Sequence, residues 1–144
     1  MTPPPNSKQP PTRVLCVDDS RDMTAVMQLM IDAEPQMECV GCLHSANDLT
    51  KVARRLNPPP DVVILDATMP GKNPLTSMAE LAAEFPTIRT IILSGHDDAA
   101  FVQRAIDAGA WGCVSKREPP DAILRAVRQA ANGHARRPRA DSSS

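Results

Sequence analysis

The chain of 144 residues contains no tyrosine, and its only aromatic residues are Phe85, Phe101 and Trp111. Three rings are too few for a module that stacks nucleobases on aromatic side chains. Neither sign of charge dominates: 16 Lys and Arg stand against 17 Asp and Glu, a formal charge of -1. That balance excludes a strongly basic nucleic-acid binder. No run of apolar residues is long enough to span a bilayer. The opening Met1-Thr2-Pro3-Pro4-Pro5-Asn6 lacks the charged and apolar regions of a signal peptide, so a cytoplasmic location is expected. Glycine is scarce, and no Gly-rich phosphate loop follows the first apolar run, which argues against nucleotide binding.

Proline is abundant, with 15 residues. Five of them fall within the first eleven positions, so residues 1–12 read as a disordered, Pro-rich arm. Arg136-Arg137-Pro138-Arg139-Ala140-Asp141-Ser142-Ser143-Ser144 closes the chain, and residues 134–144 read as a disordered basic and Ser-rich tail. The span 13–133 remains for a single folded domain, a length that suits one hydrophobic core.

Within that span short apolar runs alternate with helical stripes. Arg13 to Val17 reads as a buried strand. From Ser20 to Ala33, Met23, Val26, Met27, Met30 and Ile31 predict one helix face, with Ser20 as its cap and Pro35 beyond its end. Met37 to Leu43 is a second strand. Ser45-Ala46-Asn47-Asp48 resembles a capping box ahead of a stripe of Leu49, Val52, Ala53 and Leu56. Val62-Val63-Ile64-Leu65 has the unbroken apolar character of a central parallel strand. Pro74 opens a third helix with Leu75, Met78, Leu81, Ala82 and Phe85 on one stripe. Ile88 to Leu93 is strand four. Asp97 or Asp98 caps a fourth helix, where Val102, Ala105 and Ile106 face inward and Gly109 ends it. Gly112-Cys113-Val114 is strand five, and a fifth helix with Ile123, Val127 and Ala130 facing in runs from Pro119-Pro120-Asp121 to Gly133. Five strand–helix pairs imply an α/β, doubly wound parallel sheet with helices on both faces.

In such a sheet ligands bind beyond the carboxyl ends of the strands. Strand one ends in Asp18-Asp19, strand three in Asp66, strand four in Ser94, and strand five at Lys116. Singly, each has a plain explanation: a helix cap, a turn residue, a solvated lysine. Jointly, they place three carboxylates, a hydroxyl and an ammonium at one edge. Carboxylates at close range repel one another and raise each other's proton affinity. A divalent cation removes that repulsion, and hard oxygen ligands favour Mg²⁺, with Mn²⁺ as a substitute.

The stretches Val14-Leu15-Cys16-Val17-Asp18-Asp19-Ser20, Val62-Val63-Ile64-Leu65-Asp66-Ala67-Thr68-Met69-Pro70-Gly71, Ile92-Leu93-Ser94-Gly95-His96-Asp97-Asp98 and Gly109-Ala110-Trp111-Gly112-Cys113-Val114-Ser115-Lys116 together resemble the receiver domain of two-component response regulators. The receivers of nitrate-response and LuxR-type regulators are the most similar. The resemblance implies a flavodoxin-like (βα)5 fold with strand order 2-1-3-4-5. It implies that Asp66 is the phosphoacceptor, served by a sensor histidine kinase or a histidine phosphotransfer protein. Asp19, Asp66 and the main-chain carbonyl of Thr68 would hold Mg²⁺, with Asp18 acting directly or through water. Lys116 and Ser94 would contact the phosphoryl group, and Thr68 and His96 would tune its hydrolysis. Such a protein is no conventional enzyme; at most it catalyses its own Mg²⁺-dependent phosphorylation and dephosphorylation. It would signal to a downstream protein, or form a homodimer, through the face of the fourth helix, fifth strand and fifth helix, without touching membrane or nucleic acid itself.

Two positions depart from the family's pattern. Asn73-Pro74 replaces an Asp-Gly pair, which stiffens the loop before the third helix. Cys113 stands where the family keeps a Tyr or Phe switch, and cysteine is too small for that role. Trp111, two residues earlier, is a candidate for part of the missing contact surface. The pair Cys39-Val40-Gly41-Cys42 invites a redox or zinc reading. Residues i and i+3 of a regular strand face opposite ways, however, and only His44 lies near, so both read as small core residues. A phosphatase with an Asp nucleophile would want an acid or base at Thr68 and a cap domain. A pseudo-receiver that binds partners without phosphate is the main alternative. Too few residues follow Gly133 for a helix-turn-helix, which leaves a stand-alone receiver or a piece of a longer regulator.

Overall fold

The computed structural model describes residues 10–69, 72–95 and 99–133. Five strands and five helices alternate: β1 (Thr12–Val17), α1 (Arg21–Asp32), β2 (Met37–Leu43), α2 (Leu49–Arg55), β3 (Val62–Asp66), α3 (Pro74–Glu84), β4 (Arg89–Ser94), α4 (Ala99–Asp107), β5 (Gly112–Ser115) and α5 (Asp121–Ala131). The strands form one parallel sheet in the order β2-β1-β3-β4-β5. β3, flanked on both sides, is buried throughout, as its β-branched sequence requires.

Alternation along the strands divides the core into two layers. Val14, Cys16, Val62, Ile64, Ile91, Leu93 and Val114 pack beneath α1 and α5. Leu15, Val17, Val63, Leu65 and Ile92 pack beneath α2, α3 and α4. Short βα connections then bring the carboxyl ends of β1, β3, β4 and β5 to one edge.

Several local expectations need correction. In α1 the buried residues are Thr24, Met27 and Ile31, while Val26 is 44% exposed. Thr24 tolerates burial because its hydroxyl donates to the Arg21 carbonyl and meets His44 Nε2 at 3.1 Å, so the stripe rotates toward it. Ala82 in α3 is likewise exposed, the sheet-facing stripe being Ser77, Met78 and Leu81. The capping box before α2 does not form: Ser45 Oγ accepts from the Asn47 amide, and Asp48 makes no side-chain cap. Ser20 does cap α1 through the Met23 amide, and Asn73 caps α3 through the Leu75 amide at 2.8 Å. The Asp97 and Asp98 cap lies outside the described residues.

The largest departure is in β2. Its register with β1 runs Val14↔Cys39, then Leu15↔Gly41, so Val40 is an extra residue, a β-bulge. Beyond the bulge the facing of β2 is reversed relative to a regular strand. Cys39 and Cys42 therefore both pack against the α1/α5 layer, while Val40 and Leu43 pack against the other. The opposite-face expectation fails for this reason. Gly41 suits the bulge, because a Cβ there would meet Leu15 Cδ1 at 3.2 Å, and Leu15 is fully buried. Gly41→Val is expected to destabilise the domain by about 1–3 kcal/mol through overpacking. An unchanged urea midpoint would show that Leu15 yields freely.

Candidate functional site

The site grows out of strand ends. Asp18 directly follows β1, Asp66 ends β3 and Ser94 ends β4; all three are buried. Lys116 follows β5, and its amide donates to the Ser94 carbonyl at 2.7 Å, which ties the last rung of the sheet to the site. Its stem passes Gly95, where even a Cβ would stand 4.0 Å from Lys116 Cδ. The ammonium reaches Asp18 Oδ2 at 2.9 Å and Asp66 Oδ2 at 3.3 Å.

The outer oxygens are anchored. Asp18 Oδ1 accepts from the Ser20 amide at 2.9 Å, so one loop both caps α1 and orients the carboxylate. Asp66 Oδ1 accepts from the Thr68 amide at 3.0 Å and the Thr68 hydroxyl at 2.9 Å. The inner oxygens are not. Asp18 Oδ2 and Asp66 Oδ2 are buried and, among the described residues, have only the shared Lys116 ammonium as partner. Burial, with the charge of Asp66, pushes the Asp18 carboxyl above its ordinary value, against the Ser20 amide and Lys116. Burial disfavours the charge on Lys116, but the two carboxylates outweigh it and hold the ammonium above the usual lysine value.

Asp19 is exposed, yet Asp18, Asp19 and Asp66 each bring one carboxylate oxygen within 4.8 Å of the others. This all-oxygen set, whose two inner atoms share a single ammonium, fits a small hard cation. Three carboxylates against one ammonium leave it negative. Of the residues singled out in the sequence, Asp18, Asp19, Asp66, Thr68, Ser94 and Lys116 converge at this edge. The engagement of the Thr68 hydroxyl by Asp66 was not foreseen; the two-residue spacing of an Asx turn was its only signal. His96 lies outside the described residues. Cys113, one residue into β5, is half-buried against the α4 layer. Trp111 is elsewhere: it precedes β5, at the amino ends of the strands, half-buried against the α1/α5 layer. The Arg89 guanidinium lies over its ring at 4.5 Å and donates to the Ala130 carbonyl.

Comparison with known proteins agrees with this geometry. Residues 14–128 match the response regulator receiver domain, and the chain belongs to that family. It is 29% identical over 127 residues to the nitrate/nitrite response regulator protein NarL of Escherichia coli, covering 88% of this chain and 58% of that one. It is 32% identical over 121 residues to the nitrate/nitrite response regulator protein homolog of Haemophilus influenzae, covering 84% and 57%. The chain thus spans little more than half the length of these relatives. Among solved structures, a LuxR-family two-component response regulator from Aurantimonas superposes with a TM-score of 0.80 at 25% identity, covering 87% of this chain and 88% of that one. The signal receiver domain of the putative response regulator NarL from Mycobacterium tuberculosis gives 0.78 at 25%, covering 87% and 99%. The flavodoxin-like fold in strand order 2-1-3-4-5 is the one expected. Among the described residues no helix is long and apolar enough to cross a membrane.

Without Lys116, two buried carboxylates would face each other alone. Lys116→Met is expected to cost about 1–3 kcal/mol at neutral pH, below the full loss for a buried pair because the side chain is 27% exposed. The sign of the pH dependence follows from Asp18. Its folded-state proton affinity already exceeds the unfolded one, so protonation favours the fold and removes the repulsion. The deficit should therefore shrink as pH falls from neutral toward the ordinary aspartate range in metal-free buffer. Urea titrations at both ends of that range check this; an equal deficit at both would contradict it.

Proposed function

We propose that this receiver domain is a phosphorylation switch, with Asp66 as phosphoacceptor. The observation that carries the reading is the pair of inner oxygens, Asp18 Oδ2 and Asp66 Oδ2, buried beside the single Lys116 ammonium that they share. Thr68 holds one oxygen of Asp66 and leaves the other to act as nucleophile. It attacks the phosphorus of a phosphohistidine on a sensor kinase or phosphotransfer protein, or of a small acyl phosphate. The P–N or P–O bond breaks, and an aspartyl phosphate forms.

Asp19, Asp66 and the Thr68 carbonyl would hold Mg²⁺, with Asp18 assisting directly or through water. Receiver domains generally bind this ion at an acidic pocket, and when bound it supplies charge neutralisation for the phosphoryl oxygens. Lys116 moves from its carboxylate partners toward the incoming group as a point charge. Ser94, buried at the end of β4, offers its hydroxyl to a phosphoryl oxygen, and the loop after β4 shifts with it. With Cys113 in β5, that shift is read less by a rotating ring than by the packing of α4 against β5. The α4–β5–α5 face then meets a downstream protein or a second copy.

Incubation with Mg²⁺ and acetyl phosphate, followed by intact mass, tests the reading. One phosphoryl adduct is expected, absent in Asp66→Asn and without Mg²⁺, and formed more slowly in Lys116→Ala. Absence of an adduct from both acetyl phosphate and the cognate kinase would favour a receiver that binds partners without phosphate.

A further inference from the structure

The bulge in β2 gathers three of the four cysteines on one face of the sheet edge. Cys42 is the ladder partner of Cys16, and Cys39 the partner of Val14, two positions earlier on β1. Cys16 is fully buried, whereas Cys39 and Cys42 are half-buried on the edge strand. The Cys39 thiol donates to the Gly41 carbonyl at 3.5 Å and has Cys16 and Cys42 as its electrostatic neighbours. The Cys42 thiol lies under α1, 3.8 Å from the Thr24 carbonyl and 4.0 Å from Gln28 Oε1.

We propose that Cys39 and Cys42 form an oxidisable dithiol, a modification site at which a hydroperoxide drives formation of a disulfide across the bulge. The ladder sets the span. Two rungs at about 3.3 Å each separate the Cα atoms by about 6.6 Å, inside the range a disulfide bridges. A regular strand would turn the two side chains to opposite faces, so the bulge at Val40 is what permits the bond. Cys39 is the thiol that initiates. The adjacent Cys16 thiol foremost favours its thiolate, over the opposing effects of burial and the Asp32 carboxylate. Burial and the neighbouring Cys39 push Cys42 the other way, to about 11.

The chemistry balances as a two-electron exchange. The Cys39 thiolate attacks the O–O bond of the hydroperoxide; an S–O bond forms, and the leaving oxygen departs, protonated by solvent, as water or an alcohol. The Cys42 sulfur then attacks the sulfenic sulfur; the S–S bond forms, and the S–O bond breaks with loss of water. The dithiol is oxidised and the hydroperoxide reduced. A metal site is less well supported, because among the described residues only Asp18, Asp19 and Asp66 bring three ligand atoms within 4.8 Å of one another. His44, the nearest imidazole in sequence, is engaged with Thr24.

The whole chain, reduced and then treated with stoichiometric hydrogen peroxide, is alkylated after denaturation and mapped with trypsin. Cys39 and Cys42 share the peptide 22–51, and Cys16 lies in 14–21. Expected are two alkylations where the untreated protein takes four, and a 22–51 peptide lighter by two hydrogens, reversed by dithiothreitol. In Cys42→Ser, Cys39 should instead trap dimedone. Before oxidation, limited alkylation of the wild type should label Cys39 faster than Cys113 by about tenfold. The proposal falls if the 22–51 peptide keeps both thiols while Cys113 oxidises, or if it is found joined to 14–21. Because the wild-type map needs no substitution, a poorly folding variant leaves the test intact.

Discussion

Two buried carboxylates share one ammonium, and the carboxyl edge of the sheet is organised around that arrangement. Lys116, after β5, reaches Asp18 after β1 and Asp66 at the end of β3 across the carboxyl ends of the intervening strands. The single lysine leaves the set negative, and its ammonium is shared between the two inner oxygens. Carboxylates held this close repel one another, and that repulsion sits where a divalent cation would relieve it.

The same logic explains what could be read from the residues alone. Strand existence and the converging set Asp18, Asp66, Ser94 and Lys116 follow from apolar runs with polar residues at one end of each, whereas the strand order is implied by the family resemblance. Local packing was less legible. Val26 and Met27 are equally apolar, but only the sheet decides which faces in, and a satisfied Thr24 displaced Val26. The bulge at Val40 has no signal except Gly41, so the facing of Cys39 and Cys42 could only be seen in the register. The resemblance assigns Thr68 a role through its carbonyl, while its hydroxyl donates to Asp66, because a hydroxyl's partner depends on turn geometry.

Scarcity of aromatics shapes two further features. With a cysteine at the usual ring position, β5 offers α4 only a small half-buried side chain. Trp111 is occupied at the opposite end of the strand, where Arg89 covers its ring and links it to the end of α5. Around α4 the layer is built of Ala105, Ile106 and Ala110, with Phe101, Val102 and Cys113 packed against them. The edge formed by β1 and β2 carries different chemistry, a thiol pair on the α1 face.

The central proposal is that the carboxylates of Asp18, Asp19 and Asp66 form the cation site. Thermal unfolding at neutral pH, followed across a Mg²⁺ titration, addresses it directly, because a ligand that binds only the folded state raises Tm with its concentration. The account predicts a saturable rise for the wild type and its loss in both Asp18→Asn and Asp66→Asn. An equal rise in all three proteins, or none in the wild type, would contradict it.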